Sequence, residues 1–169
     1  MKQYILLIVL AISSMLYSCS DDADFTTKVV ERSQLSSVAG FAWFETFVFT
    51  YNPDATIVEE IKSLNKANYS YYFFAAPTCN CDTTQNFFPN AVKTLDDALV
   101  PQSATKFIAM KNISAENPFK ANFKLRELPT IYLVKDNQPF YCISDTFRSR
   151  PKSTKIESVI LDAIIEANK

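Results

Sequence analysis

Tyr71-Tyr72-Phe73-Phe74-Ala75-Ala76-Pro77-Thr78-Cys79-Asn80-Cys81 carries an unbroken run of aromatic and small apolar side chains up to Pro77, then two cysteines one residue apart. Such a run, closed by a proline, predicts a strand buried on both faces. Downstream, Phe87, Phe88, Ala91, Val92, Leu95 and Leu99 recur at helical spacing and predict an amphipathic helix to about Val100. Pro89 inside it predicts a kink or a late start. The end of a buried strand feeding a helix N-terminus is where α/β proteins place their chemistry. Aligned backbone N–H groups there favour a thiolate. Cys79 and Cys81 are therefore candidate reactive thiols, and a small structural disulfide is the competing reading.

Composition removes many other chemistries. The chain has 169 residues, enough for one domain with a full hydrophobic core. It has no histidine, which excludes Cys–His and Ser–His–Asp catalysis and any His-ligated metal site. Gly40 is the only glycine, so neither a P-loop nor a dinucleotide-binding fingerprint can be written. A formal net charge of −1 offers no basic stripe for a phosphate backbone, and nucleic acid is not an expected partner. No metal and no cofactor is expected, and nothing in the sequence sets an oligomeric state.

Residues 1–18 read as an export signal. Lys2 supplies the charge, and Ile5–Ile12 is an apolar run too short to span a bilayer. The segment closes with Leu16-Tyr17-Ser18-Cys19, which resembles a bacterial lipobox with Cys19 as the lipidated first mature residue. Ser20-Asp21-Asp22-Ala23-Asp24 is similar to the acidic tags that send some lipoproteins to the cell surface. These readings imply a lipid anchor in the cell envelope, at the outer membrane, facing the periplasm or the surface. Loss of residues 1–18 takes one lysine, leaving sixteen basic against eighteen acidic residues and a net charge of about −2. With Cys19 lipidated, Cys79, Cys81 and Cys142 remain, in a compartment where disulfides persist. The expected organisation is a signal at 1–18, a lipid-anchored acidic linker and extension at 19–40, and one domain at 41–169.

The rest of the chain alternates. Lys28–Arg32 is an expected short strand and the aromatic run Phe41–Thr50 a longer one. Asn52-Pro53 predicts a helix start, followed by Ile57, Val58, Ile61 and Leu64 on one face. Lys106–Ile113 is expected as a strand, and Asn117-Pro118 as the start of a short helix carrying Phe119 and Phe123. Thr130–Val134 and Pro139–Ile143 are expected as a hairpin turning at Asp136-Asn137. Thr154 and Glu157 are spaced as a capping box ahead of Ile156, Val159, Ile160, Ala163 and Ile164, so a closing helix is expected. Cys142 reads first as a small apolar side chain within its strand and second as a resolving thiol.

One block is distinctive. Asn112-Ile113-Ser114-Ala115-Glu116-Asn117-Pro118, continuing to Leu125-Arg126-Glu127-Leu128-Pro129-Thr130-Ile131, resembles the thioredoxin superfamily over roughly residues 45–169. The resemblance implies an α/β, thioredoxin-like fold: a central mixed sheet flanked by helices, here with an extra N-terminal strand segment. It implies a cis-proline at Pro129 facing the thiols, with the Leu128 backbone free to pair with a substrate strand. The family's Cys-x-x-Cys is shortened here to Cys79-Asn80-Cys81. Aligned on Phe74-x-Ala76, Cys79 is the nucleophile; aligned on Pro89, Cys81 is, with Thr84 at the second cysteine's place. The family's buried acid falls on Phe73 or Ala75 and is missing either way.

Geometry restricts a Cys-x-Cys pair. On a helix, residues two apart diverge, and on a strand their Cα atoms approach the upper limit for a disulfide, so the pair closes only in a turn and under strain. A strained, exposed disulfide is easily reduced, which suits an oxidant or isomerase. The expected function is thiol–disulfide oxidoreduction on extracytoplasmic protein thiols or disulfides, with Cys79 and Cys81 catalytic and Leu128 and Pro129 contacting substrate. The alternative is a non-catalytic thioredoxin-like binding module on a lipoprotein anchor.

Overall fold

The central strand alternates between two cores. In a computed structural model that describes residues 25–77 and 82–169 (backbone only at Asp82 and Thr83), β2 spans Tyr69–Ala75. Tyr69, Tyr71, Phe73 and Ala75 enter one hydrophobic cluster, and Tyr72 and Phe74 enter the other. This period of two is what an extended chain imposes, and aromatic side chains on both faces keep the strand in the middle of the sheet.

The sheet has five strands in the order β1-β3-β2-β4-β5, with β1 at Lys28–Val30, β3 at Thr105–Ala109, β4 at Thr130–Lys135 and β5 at Gln138–Cys142. β3 is parallel to β2, with Phe73 opposite Phe107, while β4 is antiparallel to β2, with Phe74 opposite Thr130. β1 runs antiparallel to β3 at one edge, and β5 pairs with β4 at the other. The architecture is therefore mixed α/β. The β4–β5 turn uses Asp136 and Asn137 at φ 52° and 63°, the left-handed pair that a tight hairpin requires.

Among the described residues, five α-helices accompany the sheet: α1 (Phe44–Thr50), α2 (Ala55–Leu64), α3 (Asp82–Asp97), α4 (Ile143–Ser149) and α5 (Ile156–Ala167). Each contributes to the cluster on the Phe73 face. The Phe74 face is covered by Phe119, Phe123, Leu125 and Leu128 from the irregular stretch between β3 and β4. Among the described residues, the helices thus flank the sheet on its Phe73 face.

Several expectations change for local reasons. Phe41–Thr50 is not a strand, because Phe41, Phe44 and Val48 are the buried positions and their spacing is helical; its aromatic content, which favours strands, is outweighed by period. The helix start at Asn52-Pro53 moves to Asp54, whose carboxylate accepts from the Thr56 and Ile57 amides. The short helix at Asn117-Pro118 does not form. Asn117 Oδ1 accepts from the Phe119 amide at 3.0 Å, a local turn that spends the side chain two residues on. The Thr154–Glu157 capping box is absent as well: α5 starts after Lys155 with no side-chain cap, and Glu157 is buried, accepting from the Tyr51 hydroxyl and the Asp54 amide. Glu157 thereby ties α5 to the start of α2.

The N-terminal segment is part of the same core. Leu35 is fully buried after β1, and Arg32 stacks over Phe44 while pairing with Glu45 of α1 and Asp96 of α3. Burial pushes the Asp96 carboxyl up, and the Arg32 guanidinium partly offsets that.

Candidate functional site

Two chain segments meet at the C-terminal end of β2. The strand runs out at Ala75, its carbonyl accepting from the Met110 amide, and Ala76 and Pro77 follow, both buried. α3, sixteen residues long, begins at Asp82, one residue after Cys81. In sequence, Cys79 and Cys81 stand three residues and one residue ahead of this helix. Cys79 and Cys81 themselves lie outside the described residues, as does Cys19.

Across the sheet, the register that sets Thr130 opposite Phe74 brings Leu128 and Pro129, just ahead of β4, to this same end. The Leu128–Pro129 peptide bond is cis, as the resemblance implied. Pro129 is buried and Leu128 is half-buried against the Phe74-face cluster.

The loop that carries these two residues is held from four sides. The Thr130 hydroxyl donates back to the Glu127 carbonyl, and the Ile131 amide donates to Ser144 Oγ at 2.6 Å. Arg148 donates to the Pro129 carbonyl and pairs with Glu127 at 2.9 Å. Its guanidinium also lies 5.9 Å from the Phe87 ring centroid on α3, with Nη1 3.9 Å from Asp145. Ser144 and Arg148 both come from α4, four residues apart on one face. The sequence reading missed this helix. Its signals were the Ile143/Phe147 spacing, Asp145 in the first turn, Arg148 in the last and Pro151 beyond the end.

Gly40 braces the same corner. At φ +90° it sits in the region that glycine favours, and a Cβ there would lie 2.8–2.9 Å from Pro77 atoms, two of them backbone. The chain's only glycine is thus pressed against the residue two before Cys79.

Beneath the corner the environment is aromatic. Phe73 is buried and stacks on Phe107 at 4.9 Å, with Phe88 of α3 at 5.6 Å. This is one of the two positions where the family's acid would fall, and a phenyl ring can neither store nor deliver a proton. Thr84, the partner position under the second alignment, is buried in the first turn of α3.

Cys142 ends β5, half-buried between the Tyr132 ring and Asp145. Burial pushes its thiol up, against the thiolate form. Among the described residues, no group of His, Cys, Asp or Glu is arranged to hold a metal ion, and no helix is long and apolar enough to cross a membrane. The corner thus brings the cis Leu128–Pro129 peptide beside the end of β2, from which the sequence continues through Cys79 and Cys81 to α3. No protein-family model, no curated protein and no solved structure matches the chain.

Proposed function

We propose that this chain is a thioredoxin-like thiol–disulfide oxidoreductase of the cell envelope, lipid-anchored through Cys19 and acting on protein thiols through Cys79 and Cys81. The observation that carries the reading is the register. With Thr130 opposite Phe74, the loop bearing Leu128 and Pro129 lies at the strand end from which Cys79 and Cys81 lead into α3. In the oxidising direction a substrate thiolate attacks one sulfur of the Cys79–Cys81 disulfide and forms a mixed disulfide, and the other sulfur leaves as a thiolate. A second substrate thiolate then attacks the mixed disulfide, so the substrate gains a disulfide and loses two electrons and two protons to the pair. A disulfide-bearing partner must reoxidise the pair for turnover.

A binding module without redox activity is the second reading, and Phe73 favours it, since an aromatic stack stands where the family keeps an acid. Cysteine variants separate the two. Cys79 is proposed as the sulfur that bonds to substrate, attacked in the oxidising direction and attacking a substrate disulfide in the reverse one, because Phe74-x-Ala76 sets the family spacing to it. In Cys142→Ser background, Cys81→Ser should trap a mixed disulfide with an envelope protein, and Cys79→Ser should trap little. The reverse pattern moves the nucleophile to Cys81. Equal, slow alkylation of both thiols with no trapped adduct leaves the binding module.

A further inference from the structure

Arg148, which holds the Pro129 carbonyl, also lines an open groove of about 540 Å³. The groove has an apolar floor. Phe87 of α3 and Phe147 of α4 stack there at 4.9 Å between ring centroids, with Ile156 and the exposed ring of Pro151 beside them. Its charged lining is wholly cationic: Arg148, Arg150, Lys152 and Lys155, with no carboxylate among the lining side chains.

The neighbouring acids do not cancel this charge evenly. Arg148 is matched by Glu127 and Asp145, and Arg150 by Asp162 at 2.7 Å. Lys155 is 59% exposed and 3.9 Å from Glu157, whose buried carboxylate is already engaged by Tyr51 and the Asp54 amide. Lys152 is exposed and makes no ion pair among the described residues. The rim therefore keeps free positive charge at its outer edge, over an aromatic floor.

A second cavity of about 540 Å³ lies where β2 begins, lined by Lys62, Lys66, Tyr69 and Ala98. It has no ring stack in its lining and is a strand's length from the thiol corner, which makes it a natural control.

We propose that the groove beside Arg148 docks an extended, acidic segment of a partner protein, with an apolar side chain on Phe147 and carboxylates on Lys152 and Lys155. An apolar anchor framed by complementary charge is how short segments gain both affinity and choice of partner. The inference does not rest on thiol chemistry: either an oxidoreductase or a binding module would select partners this way. Because Arg148 belongs both to the groove and to the contacts of the Pro129 loop, a segment seated there is held beside that loop.

The test uses the mature chain with Cys79 and Cys81 replaced by serine, so that no covalent trapping contributes. A dye-labelled peptide with one phenylalanine flanked by aspartates is titrated by fluorescence polarisation. It should bind saturably and weaken as salt rises, because the rim charges are exposed. Lys152→Glu with Lys155→Glu should weaken it about tenfold or more, while Lys62→Glu with Lys66→Glu should leave it unchanged. Unchanged far-UV circular dichroism certifies that both variants fold. Three results overturn the proposal: no saturable binding, equal binding of a lysine-flanked peptide, or equal loss in both pairs of variants. Binding of anionic vesicles through the same lysines, with no peptide binding, also overturns it and assigns the face to the membrane.

Discussion

Gly40 and Pro77 are the residues on which the geometry of the corner depends. A side chain at Gly40 would have to adopt a left-handed backbone and displace Pro77 backbone atoms, which have no soft direction in which to yield. Gly40→Ala should therefore destabilise the protein by about 1–3 kcal/mol, measured by denaturant unfolding, with a shift in midpoint and little change in slope. A change within experimental error would mean that the Gly40–Pro77 contact is slack in solution. The importance of this glycine was hidden in the sequence, where a single glycine only excluded phosphate-binding loops. What fixes it is a contact between residues 37 positions apart, which no local pattern reports. Phe73 was legible as buried, but its stack on Phe107 depends on the parallel register of β2 and β3.

At the scale of elements, α4 converts a loop into a scaffold. Ser144 is fully buried, and its hydroxyl is the acceptor for the Ile131 amide at the start of β4. Ser144→Ala leaves that amide buried without a partner, at a cost of about 1–3 kcal/mol. The expected outcome is a lower unfolding midpoint together with faster amide exchange at Ile131 than elsewhere in β4. Uniform exchange across the strand would show that the bond does not anchor the loop. The elements read from sequence and found in the fold were β1, α2, β2, α3, β3, the β4–β5 hairpin and α5. The elements misread had a local signal used for another purpose. Asn117 closes a turn rather than opening a helix, and Glu157 reaches to Tyr51 and Asp54 rather than back to its own N-terminus. The aromatic run Phe41–Thr50 has the composition of a strand but the burial period of a helix. The cis bond at Leu128–Pro129 and the start of β4 at Thr130 were legible in the block around them, whereas the thiols it was expected to face lie outside the described residues.

At the scale of the whole molecule, the fold gathers its helices on one face and leaves the other to an irregular stretch carrying Phe119 and Phe123. The edge strand β1, at Lys28–Val30, begins nine residues after Cys19 in sequence. A lipid on Cys19 would thus tether the domain by a short acidic segment. Cys19→Ala should move the protein from the membrane fraction to the soluble fraction, and unchanged fractionation would contradict the anchor. The central claim is that Cys79 and Cys81 form a redox couple, and the most direct measurement is a thiol titre of the mature domain, with Cys142→Ser, in graded glutathione buffers. A single reversible transition involving two thiols, in the range of isomerising and oxidising dithiol couples at about −180 to −120 mV, is the predicted result. Two thiols that remain reduced, or a disulfide that remains closed, across the whole range would contradict it.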